Sequence, residues 1–167
     1  NVCAVLSVDF SGSPVNYSAL SKLCQAAGVS FISDAAHSFG GNVSGVPIGS
    51  STLSDITTTS FHPVKTITTG EGGAVFSKTT TKRRLVAFRD HGRMGGVATY
   101  VSYNHRMSAI HAALGLSQLQ KIDRFIDRRR AIAKSYLVEL KDLPSVELPK
   151  DIPGSAWHLF VIRVPWA

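Results

Sequence analysis

Short β-branched runs alternate with amphipathic stretches and Gly-rich loops, and this alternation restricts the chain to few architectures. Val2 to Val8 reads as a buried strand. Tyr17 to Ala27 follows as an amphipathic helix, preceded by Pro14 and stopped by Gly28. Val29 to Ser33 is a second strand, closing on Asp34. Gly40 to Ser51 reads as loop, with short strand pieces around Val43 and Ile48. Ile56 to Phe61 and Gly73 to Ser77 are strand-like, and Thr80 to Phe88 starts a helix. Gly92 to Val97 is a flexible loop. From about Ser108 to Lys141, Ile110, Leu114, Leu119, Ile122 and Ile126 form an apolar stripe, on one long helix or on two with a break near Arg124. Pro144, Pro149 and Pro153 punctuate a loop before a last strand, Leu159 to Val164. Strand–helix–strand order implies an α/β fold with a largely parallel sheet.

The 167 residues are 44% hydrophobic and 17% charged, enough for one globular core without disulfides or metals. No apolar run approaches the roughly 18 residues of a membrane helix, and Asn1 to Phe10 lack signal-peptide features. Cys3 and Cys24 lie in apolar surroundings and read as buried free thiols of a reducing, cytoplasmic protein; no metal site is expected. The net charge of +7 gathers in Lys82-Arg83-Arg84 and Arg128-Arg129-Arg130. Both triplets read as solvated helix faces without interleaved aromatics, so no nucleic-acid partner is expected.

Ligands of open α/β sheets sit beyond the carboxyl ends of the strands. Three motifs fall at such positions: Ser33-Asp34-Ala35-Ala36-His37, Ser60-Phe61-His62-Pro63-Val64-Lys65, and Thr68-Thr69-Gly70-Glu71-Gly72-Gly73. A carboxylate at one strand end and a lysine at the next are what pyridoxal-phosphate chemistry requires. The lysine amine forms a Schiff base with the cofactor aldehyde, the carboxylate keeps the pyridine nitrogen protonated, and a hydroxyl such as Ser60 can bind the phosphate. Taken singly, a strand-terminal Asp is commonly a cap and a loop Lys a solvated charge; the combination in this order is what informs.

These motifs resemble those of the DegT/DnrJ/EryC1/StrS sugar aminotransferases. Arg89-Asp90-His91-Gly92, Tyr103-Asn104-His105-Arg106-Met107-Ser108 and Ala112-Ala113-Leu114-Gly115 with Gln118-Leu119 extend the resemblance over essentially the whole chain. It implies part of the large domain of a fold type I, aspartate-aminotransferase-like transferase over residues 1–144, with a small C-terminal domain beginning at 145–167. It further implies Lys65 as the Schiff-base lysine and Asp34 against the pyridine nitrogen. His37 would lie near the phenolic oxygen and Ser60 at the phosphate. Asn104 would reach the phosphate of a neighbouring subunit, so a homodimer with shared sites is expected. His62 stands where it can contact substrate or serve structure, and Arg106 either pairs with a carboxylate or faces the site. Glu71 shapes its turn. His91, His105, His111 and His158 have no partner that the sequence identifies and read as structural.

The His62-Pro63-Val64-Lys65 form, with Ile67 to Gly73, is similar to members that aminate C4 of a UDP-linked 4-keto-6-deoxy-N-acetylhexosamine for pseudaminic acid. Glutamate is the expected donor. Family members are considerably longer, so the 167-residue chain reads as an internal piece, expected to be inactive alone and to self-associate through uncovered apolar surface. Two other readings are weaker. Gly70 to Gly73 as a nucleotide cradle lacks both the P-loop ending and the G-x-G-x-x-G spacing. A non-catalytic scaffold or regulatory domain of the same fold would not need to retain Asp34 and Lys65. A hydrolase has no G-x-S-x-G elbow to support it.

Overall fold

A computed structural model describes residues 2–165. Its centre is a four-stranded sheet: β1 (Ala4–Val8), β2 (Ser30–Asp34), β5 (Ile56–Ser60) and β6 (Gly73–Ser77), in the order β1-β2-β5-β6. The first three run parallel and β6 is antiparallel to β5, so the expected largely parallel α/β sheet is present. Two small antiparallel ribbons, β3 (Asn42–Val43) with β4 (Val46–Pro47) and β7 (Arg93–Met94) with β8 (Val97–Ala98), lie outside it.

Local chemistry sets the helix limits. In α1 (Tyr17–Ala27) the Asn16 carboxamide accepts a hydrogen bond from the Ala19 N–H at 3.0 Å, and Gly28 closes the helix at φ +65°. One face of α1 buries Tyr17 and Cys24 against Phe31, Ala35 and Ile48. α2 (Thr79–Arg89) carries Lys82, Arg83 and Arg84 on exposed positions, as expected. The long helical region is two helices, α3 (Ala109–Leu119) and α4 (Ile122–Glu139), and their break falls at Gln120–Lys121 rather than Arg124. Ile126 of the apolar stripe is buried, whereas Ile110, Leu114 and Leu119 on α3 stay exposed.

Three expectations need correction. Cys3 is exposed, because β1 is an edge strand; only Cys24 is buried. Leu159 to Val164 is not a strand: its backbone finds no neighbouring strand among the described residues, only an isolated bridge from Arg163 to Glu147 and a bond from Leu159 N–H to Ser11. Finally, Arg129 and Arg130 are half-buried, not a solvated face. Arg129 donates to the carbonyls of Trp157 (3.3 Å) and His158 (3.2 Å), and Arg130 to that of Ser155 (3.4 Å). Among the described residues no helix is long and apolar enough to cross a membrane.

Candidate active site

The parallel pairing of β2 with β5 brings two chemistry-bearing strand ends together. Asp34 lies opposite Thr58, and the Ala35 N–H donates to the Thr58 carbonyl at 2.8 Å, fixing the exit of β2 beside the end of β5 at Ser60. Beyond Ser60 the chain makes a closed loop. Phe61 forms its neck, donating its N–H to Gly72 and accepting from the Thr69 N–H and the Thr68 hydroxyl. Lys65 sits on this loop, half-buried, with its N–H bonded to the His62 carbonyl at 3.0 Å.

Asp34 is half-buried and one of its oxygens accepts from the Ala36 N–H at 3.0 Å, which turns the following residues and presents His37. His37 accepts at Nδ1 from the Ser11 N–H, 3.3 Å away, so its proton sits on Nε2. Burial lowers the His37 pKa from its ordinary value, the Lys65 ammonium lowers it further, and the Asp34 carboxylate opposes them. Lys65 and Asp34 thus act on the same imidazole with opposite sign.

His158 lies beside that imidazole. Its ring centroid is 4.4 Å from that of His37, and burial, then His37, Lys65 and Arg129, push its pKa down to about 4. Nothing in the sequence pairs it with His37; the fold brings it there from the far end of the chain. Asp9, also missed, is fully buried at the end of β1. It accepts from the Tyr17 and Ser38 hydroxyls, both at 2.6 Å, and from the Val15 N–H at 3.0 Å. An Asp closing a strand, as Asp34 does, was the available signal. Its role is to brace the segment that carries His37.

The remaining candidates divide. Ser60 accepts from the His62 N–H at 3.3 Å, leaving its own hydroxyl proton to donate elsewhere. His62 is exposed and its Nδ1 accepts from the Val64 N–H at 3.3 Å, a contact internal to the turn. Asn104 and Arg106 are exposed and tied to a different place: Asn104 bridges to Asp90 and accepts from the Arg106 N–H, while the Arg106 guanidinium pairs with the Asp90 carboxylate. Arg106 therefore takes the carboxylate alternative. Glu71 contributes its carbonyl to the turn, accepting from Thr69 at 2.7 Å.

The donor set fits pyridoxal phosphate. Among the described residues the Lys65 amine has no ion pair, and the second Asp34 oxygen has no hydrogen bond. One free carboxylate oxygen, one unpaired amine, an imidazole N–H and a hydroxyl suit the polar edge of that group.

Comparison with known proteins agrees. The profile of the DegT/DnrJ/EryC1/StrS aminotransferase family matches residues 2–167. A Helicobacter pylori UDP-4-amino-4,6-dideoxy-N-acetyl-beta-L-altrosamine transaminase is 35% identical over 147 residues, which cover 84% of this chain and 39% of the relative. The transaminase of the same name from Campylobacter jejuni serotype O:23/36 is 33% identical, over 97% of this chain and 45% of its own. The structure of Helicobacter pylori PseC, an aminotransferase involved in the biosynthesis of pseudoaminic acid, superimposes with a TM-score of 0.90 at 32% identity, covering 98% of this chain and 46% of that one. The chain thus spans less than half the length of these relatives. Pyridoxal phosphate is the cofactor of such enzymes, and the fold is that of the fold type I transferases. The chain belongs to the DegT/DnrJ/EryC1/StrS aminotransferase family.

Proposed function

We propose that this chain is the catalytic core of a longer cytoplasmic aminotransferase, which moves an amino group from a donor amino acid, glutamate, to the C4 ketone of a nucleotide-linked deoxy sugar. The observation that supports this reading is that the Lys65 amine and the Asp34 carboxylate both act on the charge of His37, with Asp34 closing β2 beside the exit of β5. The names of the Helicobacter and Campylobacter relatives support the nucleotide-sugar class and the pseudaminic-acid type of product. Residues 1–144 belong to the large domain and 145–167 begin a small one, as the resemblance implies.

Pyridoxal phosphate, when bound, supplies the aldehyde and the electron-accepting ring that amino exchange needs. Lys65 holds it covalently and, once released, moves a proton at its Nζ as base and then acid. The free oxygen of Asp34 accepts the ring N–H and keeps that nitrogen protonated. His37 donates its Nε2–H to the phenolic oxygen, and the Ser60 hydroxyl binds the phosphate. His62 lies on the substrate side, as an exposed residue of the Lys65 loop. Asn104, exposed, serves the phosphate of a second subunit in a homodimer, as the resemblance implies. The 167-residue chain alone is inactive, because the rest of the site comes from the remaining length.

The test is borohydride trapping: pyridoxal phosphate is added to the protein, the adduct reduced and digested, and the modified lysine located by mass spectrometry. Selective labelling of Lys65 in the full-length protein is expected. Labelling at other lysines only would overturn the assignment.

A further inference from the structure

Two histidines meet at the candidate site, and the reading above gives a role to only one. His158 reaches His37 through a segment fastened at several points. The Ala156 N–H and the Ser155 hydroxyl both donate to the Gly12 carbonyl, at 2.9 and 3.0 Å, and the Leu159 N–H donates to Ser11 at 3.0 Å. Arg129 holds the carbonyls of Trp157 and His158 from the other side. Trp157 itself is held at φ +49°, a backbone region that non-glycine residues rarely enter. Gly12 leaves no slack: a Cβ there would lie 2.7 Å from the backbone nitrogen of His158.

Ser11 is the shared anchor. Its N–H points at Nδ1 of His37 while its carbonyl takes the Leu159 N–H, so both imidazoles are referenced to one residue. A proton added to Nδ1 of His37 would set two donors face to face and break the Ser11 contact. The contact therefore selects the form with its single proton on Nε2. Phe10 flanks the His37 ring at 6.0 Å and His158 covers it at 4.4 Å.

We infer that His158 is a positioning residue of this site, whose ring covers His37 and holds that imidazole in its neutral, Nε2–H donor form. This rests on the role given to His37 under the proposed function. The groups that act on or flank His37 are Lys65, which favours the neutral form, Asp34, which opposes it, and His158, whose ring centroid lies 4.4 Å from its own. His158 in turn faces His37, Lys65 and Arg129, three groups that each disfavour a charge on it. The Nδ1 of His158 is buried and has no hydrogen-bond partner among the described residues, as for a ring that acts by covering rather than by bonding.

The experiment is a pH titration of isotope-labelled histidines by NMR in the full-length, cofactor-free protein, with His158→Ala and His158→Phe. In the unmodified protein His37 titrates below its ordinary value. His158→Ala admits water and raises the His37 midpoint by about one pH unit, while His158→Phe, which preserves the covering ring, leaves it low. An unchanged midpoint in the alanine variant overturns the inference, as does a phenylalanine variant that behaves like alanine. If neither variant folds, the unmodified protein still decides, since a His37 midpoint at or above its ordinary value overturns it too. Borohydride labelling of Lys65 separates the two readings. Labelling with an unchanged His37 midpoint removes His158 alone, and absent labelling removes the proposed function whatever His37 does.

Discussion

Tyr17 donates its hydroxyl to the carboxylate of Asp9 at 2.6 Å, inside a pocket where Asp9 has no solvent exposure and Ser38 donates to the same oxygen. The Tyr17 oxygen lies equally close to Ser33, at 2.6 Å. This buried group joins α1 to the exits of β1 and β2, the two strand ends around which the candidate site is organised.

Tyr17→Phe leaves Asp9 with one donor fewer and is expected to cost about 1–3 kcal/mol in a urea titration. Burial and Asp9 raise the Tyr17 pKa well above 10.0. A raised phenol gives stability that is complete below the unfolded pKa and is lost as pH climbs toward the folded one. The unmodified protein should therefore weaken above about pH 10, and the phenylalanine variant should lose that part of the alkaline transition.

His158 supplies the opposite case at low pH. Its pKa is depressed from 6.5 to about 4, so its contribution is complete above the unfolded value and disappears as pH falls through the folded one. Denaturation midpoints should drop between those two values, and His158→Phe should flatten this limb. An unchanged acid limb in that variant would assign it to other groups.

Asp55 pairs with Lys78 at 2.6 Å and accepts from the Phe31 N–H at 2.9 Å, and Lys78 is the first cause of its lowered pKa. Both side chains are more than a third exposed, so Asp55→Asn should cost only about 1 kcal/mol at neutral pH. The lowered carboxyl stabilises above its ordinary value and loses that effect on acidification. Unfolding at pH 7 and pH 3, with and without salt, measures this directly.

Lys65→Ala should leave the melting temperature close to that of the unmodified protein, since among the described residues the Lys65 amine makes no ion pair. Borohydride labelling at this position should vanish and turnover in the full-length enzyme should fall by about 10²–10⁴-fold or more. Asp34→Ala should likewise retain the fold while amino exchange drops steeply. Near-normal exchange in that variant removes Asp34 from the mechanism.

The limits of α1 are those the residue pattern predicts, because Asn16 and Gly28 act through local geometry, and β6 runs over the expected Gly73–Ser77. Asp34 and Lys65 stand out for a related reason: Asp34 ends β2 and the loop carrying Lys65 leaves β5, two parallel neighbours whose ends lie on one side of the sheet. His158, Arg129 and the arrest of Leu159 to Val164 were not legible. Each depends on contacts with Ser11, Gly12 or residues 155–158, whose distance along the chain leaves no periodic trace. The exposed Leu114 and Ile110 belong to the same class, since an apolar stripe announces burial without naming what buries it.

The neck at Phe61 has one further consequence. Because the loop between Phe61 and Gly72 is sealed by three bonds at its base, its tip is insulated from the sheet below. Positions 62 to 65 lie outside the β5–β6 ladder, so exchanging their side chains should leave the strand register intact. Reactivity is thus separable from foldability, and a scaffold built this way can change its chemistry in small steps without first having to survive a loss of structure.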